Sequence, residues 1–141
     1  ALIVANVDAV KKWAQENGKA DYMFSKLAIN AYVAGEAFEL LKKGIRINAI
    51  LPGPTDTPLA RANADMWLGF ASDYRAETGI EPSTPDEQAA ALVFLCSDAA
   101  AAITGFTLVT DAGYSSSGIT GSFPPAEPVV GFLRGPLYDN A

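Results

Sequence analysis

Tyr22-Met23-Phe24-Ser25-Lys26 opens a helix-forming run that ends at Gly44, and the rest of the sequence is ordered around it. Side chains four residues apart share one face of a helix, so the phenol of Tyr22 and the amine of Lys26 project together. Leu27, Ala31, Ala34, Phe38 and Leu41 recur at three- and four-residue spacing and predict an amphipathic helix over 21–43. Lys42 and Lys43 suit the negative end of its dipole, and Gly44 is the expected stop. Ala28, Ala31, Ala34, Gly35 and Ala37 are small enough to admit a neighbouring element, in the core or at a subunit interface.

Downstream, residues 45–51 are short, β-branched and mostly apolar, as a strand in a covered parallel sheet is. Pro52-Gly53-Pro54-Thr55-Asp56-Thr57 ends it. A loop at the carboxyl end of such a strand is where doubly wound sheets bind ligands. Residues 58–82 gather Met66, Trp67, Phe70 and Tyr74, broken by Gly69 and Gly79, and read either as a helix pair over a pocket or as an ordinary packed helix. Thr84-Pro85-Asp86-Glu87 is a helix start with a capping box. The helix it opens runs to about Ser97, and Cys96 in its apolar run reads as a buried small hydrophobe. Phe106–Thr110 predicts a last strand, closed by Asp111-Ala112-Gly113.

Beyond that point Ser115-Ser116-Ser117-Gly118, Gly121 and Pro124-Pro125 predict an irregular tail over 113–141. Its Phe123, Val129, Val130, Phe132, Leu133 and Leu137 are candidates to dock on a neighbouring surface. At the other end Ile3, Val4, Val7, Val10, Trp13 and Ala14 predict a short amphipathic helix, stopped by Asn17-Gly18.

A chain of 141 residues, half of them apolar, is the size of one domain and can bury a core. A net charge of −6 argues against nucleic acid, and against an anionic membrane, as the main partner. One cysteine excludes an internal disulfide and suits a reducing compartment such as the cytoplasm. The lack of histidine argues against a zinc site, and no apolar run approaches a membrane span.

The chemistry sits in the opening pentapeptide and the proline-glycine loop. A phenol titrating near 10 is a poor base at neutral pH. A neighbouring ammonium favours the phenolate, so such a pair can act as a general acid/base on an alcohol or carbonyl oxygen. The bland alternative is a surface Tyr and Lys that happen to lie four apart. In the loop, Gly53 permits close backbone approach, Pro52 and Pro54 stiffen the turn, and Thr55 and Thr57 offer hydroxyls for an amide or a phosphate. A proline-rich turn with no ligand is the alternative there. What weighs against both bland readings is the order: Tyr/Lys helix, Gly stop, strand, Pro-Gly loop, capped helix, strand, Asp-x-Gly.

That order resembles the short-chain dehydrogenase/reductase family. Tyr22-x-x-x-Lys26 is similar to its active-site motif, and residues 44–59 to the following strand and nicotinamide-side loop. Ser97-Asp98, Ile103-Thr104-Gly105 and Asp111-Ala112-Gly113 resemble the family's closing helix end and last strand. The resemblance implies an α/β chain, the C-terminal half of a Rossmann-type doubly wound parallel sheet. It implies NAD or NADP as cofactor and a small-molecule alcohol or carbonyl as substrate. It gives Tyr22 the proton transfer, Lys26 the cofactor ribose, and Pro52, Gly53, Thr55 and Thr57 the nicotinamide end. Met66, Trp67, Phe70 and Tyr74 would form a substrate lid suited to an aromatic or alicyclic molecule. The family habit of assembly implies a homo-oligomer, a dimer or a tetramer.

Two family features are not in the sequence. There is no G-x-G-x-x-G phosphate loop, and residues 1–21 contain no Ser or Thr to orient the substrate oxygen. The expectation is that both lie in an N-terminal half preceding Ala1, with the 3–16 helix an insertion between Ser and Tyr, as in a subgroup that includes coniferyl-alcohol and 3α-hydroxysteroid dehydrogenases. The competing expectations are a non-catalytic structural or oligomerisation piece and a cofactor-binding sensor of the same fold.

Overall fold

Helix α1, Tyr22–Leu41, shows how local chemistry ends an element. Gly44 takes φ +73, the left-handed region in which a side chain is penalised. Its N–H donates to Leu41 O at 2.9 Å, and the Ile45 N–H donates to Leu40 O at 3.0 Å. This is the reciprocal pair of a Schellman stop, as the Lys-Lys-Gly signal predicts. The computed structural model describes residues 12, 14–18 and 22–134.

Strand β1, Asn48–Pro52, follows. Three short helices come next: α2, Pro58–Ala62; α3, Ala64–Trp67; α4, Ser72–Thr78. Helix α5, Pro85–Cys96, leads through a single 3₁₀ turn at Asp98–Ala100 to strand β2, Phe106–Thr110. Helices α6, Tyr114–Thr120, and α7, Glu127–Arg134, close the described chain around a 3₁₀ turn at Pro124–Ala126. β1 and β2 form a two-stranded sheet. Gly105 N–H donates to Ile47 O and Gly53 N–H to Thr110 O, so the numbering rises together along both strands and the pairing is parallel. The α/β class expected from the sequence is the class observed.

The chain divides into two compact units: Ala1–Ala49 with Leu95–Leu108, and Ile50–Phe94 with Val109–Ala141. In the first unit, Val33, Leu95 and Ala100 are buried. Full burial of a Val or Leu side chain stabilises by roughly 1.5–3 kcal/mol. The buried face of α1 is not the stripe that the apolar spacing suggests. Phe38 is 70% exposed and Leu41 is also exposed, whereas Val33 is only 4% exposed. Asn30 accepts a long hydrogen bond from the Thr107 hydroxyl, and a Cβ on Gly105 would stand 2.7 Å from the Ala37 Cβ. The inward line is therefore Asn30, Val33 and Ala37, set by the close approach of Gly105 to a small residue.

Arg46 was expected inside the first strand, but it lies before β1. Its guanidinium donates to Leu95 O at 2.7 Å, Ser97 O at 3.1 Å and Ile103 O at 3.3 Å. A charged fork thus ties carbonyls at the end of α5 to one in the loop before β2. The Asn48 side chain then takes Ile103 O and the Phe106 N–H. Arg46 through its guanidinium and Ile47 through its N–H to the Thr104 hydroxyl are held by side-chain bonds, and the strand starts at Asn48.

Three other expectations change. Cys96 is exposed, not buried, because in this unit it is the neighbouring Leu95 that turns inward. The region 58–82 is three short helices instead of a pair. The described part of the tail, to Arg134, is mostly helical, not irregular: Asp111 accepts from the Gly113 and Ser115 N–H groups and the Ser115 hydroxyl, starting α6. Gly118 then lets the chain pack closely, since a Cβ there would lie 2.5 Å from Ala126 O. Ser and Gly are weak helix formers, and it is these contacts that hold the helix. Most of the helix expected over 3–14, and the side chains of Phe132, Leu133 and Leu137, lie outside the described residues. Residues 14–16 are helical, Ala14 is buried, and the Asn17-Gly18 stop has Gly18 at φ +63.

Candidate active site

Tyr22 and Lys26 occupy the first two turns of α1, in the first unit. The Lys26 ammonium lies over the Tyr22 ring, 4.9 Å from its centroid. Helix spacing brings the two together as the sequence predicts, with the ammonium over the face of the ring. Tyr22 is 54% exposed and Lys26 is half-buried. The Ser25 hydroxyl donates back to Tyr22 O at 2.6 Å, a local bond within the helix.

The proline-glycine loop belongs to the second unit and is tightly built. Pro52 ends β1. A Cβ at Gly53 would stand 2.9 Å from the Asp111 Cα, so the close approach this glycine allows is that of the chain itself. The Thr55 hydroxyl donates to Gly53 O at 3.0 Å, and Thr55 forms a parallel bridge with Ser83. The Thr57 hydroxyl accepts from the Ala60 N–H at 3.0 Å, capping α2. Between them Asp56 holds Arg61 through two hydrogen bonds, 2.6 and 2.7 Å. Those bonds above all, helped by the guanidinium charge, hold the Asp56 carboxyl below its ordinary pKa against the opposing effect of desolvation.

The proposed lid residues divide. Phe70 meets Tyr114 edge-on with centroids 5.3 Å apart, and Tyr74 does so at 5.4 Å. Tyr74 also meets Phe123 at 5.2 Å and donates its hydroxyl to Ala112 O. Ala71, Tyr114 and Ala126 form the buried centre of this cluster. Burial first, then Asp73 and Asp111, push the Tyr114 phenol above its ordinary 10.0. Met66 is 61% exposed and Phe70 is 46% exposed despite its ring contact, while Trp67 is half-buried. Behind Tyr74 lies a cavity of about 70 Å³, lined in part by Gly53, Pro54, Arg75 and Asp111. That is room for a few waters and not for a dinucleotide.

Two participants escaped sequence reasoning. Gln88 in α5 is buried and bonds both Ser83 and Thr110. A glutamine in the first turns of a helix gives no signal of this. Tyr114 anchors the aromatic cluster; its place beside Asp-Ala-Gly was visible, its partners were not.

Known proteins match this chain across most of its length. The family model described as enoyl-(acyl carrier protein) reductase matches residues 1–115. A 3β-hydroxysteroid dehydrogenase of Eggerthella lenta is 34% identical over 122 residues, covering 81% of this chain and 45% of that protein. A cis-4-hydroxycyclohexanecarboxylate dehydrogenase of Sinomonas cyclohexanicum is 30% identical over 118 residues, covering 80% and 45%. Among solved structures, 4-hydroxyisoleucine dehydrogenase complexed with NADH superposes with a TM-score of 0.53 at 26% identity, covering 65% of this chain and 38% of that one. The chain belongs to the short-chain dehydrogenase/reductase family, and its fold is of the Rossmann type. It spans less than half the length of these curated relatives.

Proposed function

We propose that the protein interconverts an alcohol and a ketone or aldehyde with NAD or NADP, on an apolar alicyclic or aromatic substrate. The observation that carries this reading is the Lys26 ammonium set over the Tyr22 ring on one helix face, in a chain of this family. The hydroxylated rings in the names of two relatives support an alicyclic substrate.

Each unit, taken by itself, has residues that suit a nicotinamide cofactor. In the first, Lys26 brings three N–H donors suited to ribose hydroxyls; in the second, the loop with Pro52, Gly53, Thr55 and Thr57 is closed by its own hydrogen bonds. When bound, the nicotinamide supplies the hydride acceptor or donor. The protein residues manage the proton. The Tyr22 oxygen takes it from the substrate hydroxyl in oxidation and returns it in reduction. The positive charge of Lys26 stabilises negative charge as it develops on the Tyr22 oxygen. Exposed Ile29, Tyr32 and Phe38 on α1 support a homo-oligomeric state, dimer or tetramer, which light scattering would test.

The deciding variant is Tyr22→Phe, assayed with NAD⁺ and with NADP⁺ on a 3-hydroxysteroid and on cyclohexanol. The ring that carries Lys26 remains and only the hydroxyl goes. Turnover should fall by about 10²–10⁴-fold, the usual worth of a positioned acid/base, with dinucleotide affinity kept. Unchanged turnover removes Tyr22 from the mechanism.

A further inference from the structure

We infer that Gln88 is a positioning residue for the Pro-Gly-Pro-Thr loop, and through it for the cofactor; the second half of this rests on the function proposed above. Gln88 is 9% exposed on α5 and its carboxamide makes three hydrogen bonds. Its Nε2 donates to the Ser83 hydroxyl oxygen at 2.8 Å and to Thr110 O at 3.1 Å. Its Oε1 accepts from the Thr110 hydroxyl at 2.6 Å. The orientation is determined: turned over, the amide would set its oxygen against the carbonyl of Thr110.

Each partner of Gln88 is itself tied to the loop. Ser83 donates to Pro54 O through its N–H at 3.0 Å and through its hydroxyl at 3.1 Å. Ser83 O accepts from the Asp56 N–H at 2.8 Å. Thr110 O, the carbonyl that Gln88 reaches, also accepts from the Gly53 N–H at 3.2 Å. One buried amide thus bonds the two residues that hold Gly53, Pro54 and Asp56. A loop without such a brace is free to sample other turns, and a ligand then meets its binding geometry only part of the time. An ordinary buried glutamine contributes stability alone. A positioning glutamine also sets the affinity of what the loop binds.

The test uses Gln88→Met, which keeps the shape and loses the bonds, and Ser83→Ala, which cuts the next link. Val33→Ala serves as a control that removes buried volume in the other unit. For each, NADH and NADPH affinity is read by nucleotide fluorescence, alcohol KM and kcat by steady state, and the Gly53 and Asp56 amides by hydrogen exchange. The expected result is faster exchange at both amides and a rise of about tenfold in the dinucleotide Kd, with alcohol KM little changed, for Gln88→Met and Ser83→Ala. A tenfold Kd change is one decade of affinity, well above the scatter of such titrations. Val33→Ala should lower stability and leave Kd alone. Unchanged Kd in both loop variants overturns the inference, as does an equal rise in Val33→Ala. A parent protein that binds neither dinucleotide overturns the proposed function and the cofactor half of this inference with it. Unchanged exchange at Gly53 and Asp56 overturns the brace itself.

Discussion

Gly53 and Asp111 are in backbone contact: a Cβ on Gly53 would lie 2.9 Å from the Asp111 Cα and 3.0 Å from its Cβ. The loop after β1 and the loop after β2 therefore meet at a place where only glycine is accommodated. Asp111 cannot withdraw cheaply, because its carboxylate also starts α6 through the Gly113 and Ser115 N–H groups. Gly53→Ala should destabilise the protein by about 1–3 kcal/mol, the usual cost of overpacking, read as a lower denaturant midpoint with unchanged slope. An unaltered midpoint would show that the two loops are not in contact.

Lys26→Met separates charge from bulk. The thioether still packs on the Tyr22 ring, while the cation over it is lost. An exposed cation–π contact is worth roughly 0.5–1 kcal/mol, so stability should change little. Dinucleotide affinity should fall by about tenfold, the worth of one charged hydrogen-bonding partner. Full retention of affinity in a fluorescence titration takes Lys26 out of the cofactor site.

Met66 and Phe70, grouped together by composition, should behave differently. Met66 is exposed, and Met66→Ala should change the unfolding free energy by less than about 0.5 kcal/mol. If it covers an apolar substrate, KM for the steroid alcohol should rise several-fold. Phe70 meets the Tyr114 ring edge-on, and Phe70→Leu should cost about 0.5–1.5 kcal/mol for that contact beyond lost area. Equal effects of the two variants on stability would contradict this division.

Glu87 gives a pH signature. The Thr84 N–H donates to its carboxylate at 2.7 Å, the Thr84 hydroxyl does so at 3.0 Å, and the Glu87 N–H returns a bond to that hydroxyl. The backbone bond first, then the hydroxyl, lowers the folded pKa from its ordinary 4.5. A lowered folded pKa means that the stabilisation is complete above the unfolded pKa. It is lost as pH falls through the folded one. Midpoints measured from neutral to acid pH should thus show an advantage of the parent over Glu87→Gln that closes at low pH. A constant gap across the range would deny the capping box its charge.

Much of the local structure was legible. The Lys-Lys-Gly stop of α1, the Thr-Pro-Asp-Glu start of α5 and the span of β2 depend on residues a few positions apart, so propensity and capping chemistry suffice to read them. The Tyr22–Lys26 neighbourhood follows from helix pitch alone. Residues 45–47 read as strand because Arg46 sits between two isoleucines, and only its distant carbonyl partners show why β1 begins at Asn48. The tail looked irregular because Ser and Gly are poor helix formers taken singly. Asp111, Tyr114 and Ala126 supply what the local sequence lacks.

By itself, then, the sequence determined the long helix and its stop, the capped helix, the two strands in outline, the family and the residues proposed for proton transfer, since each rests on short-range spacing. Only the tertiary structure decided which face of α1 is buried, why position 53 is glycine, that Cys96 faces outward, that Phe70 and Tyr74 pack on Tyr114, and that Gln88 braces the loop. Each of those depends on pairs far apart in the chain. A pattern along the chain cannot show them, because burial and hydrogen bonding are settled by whichever distant surface arrives to complete them.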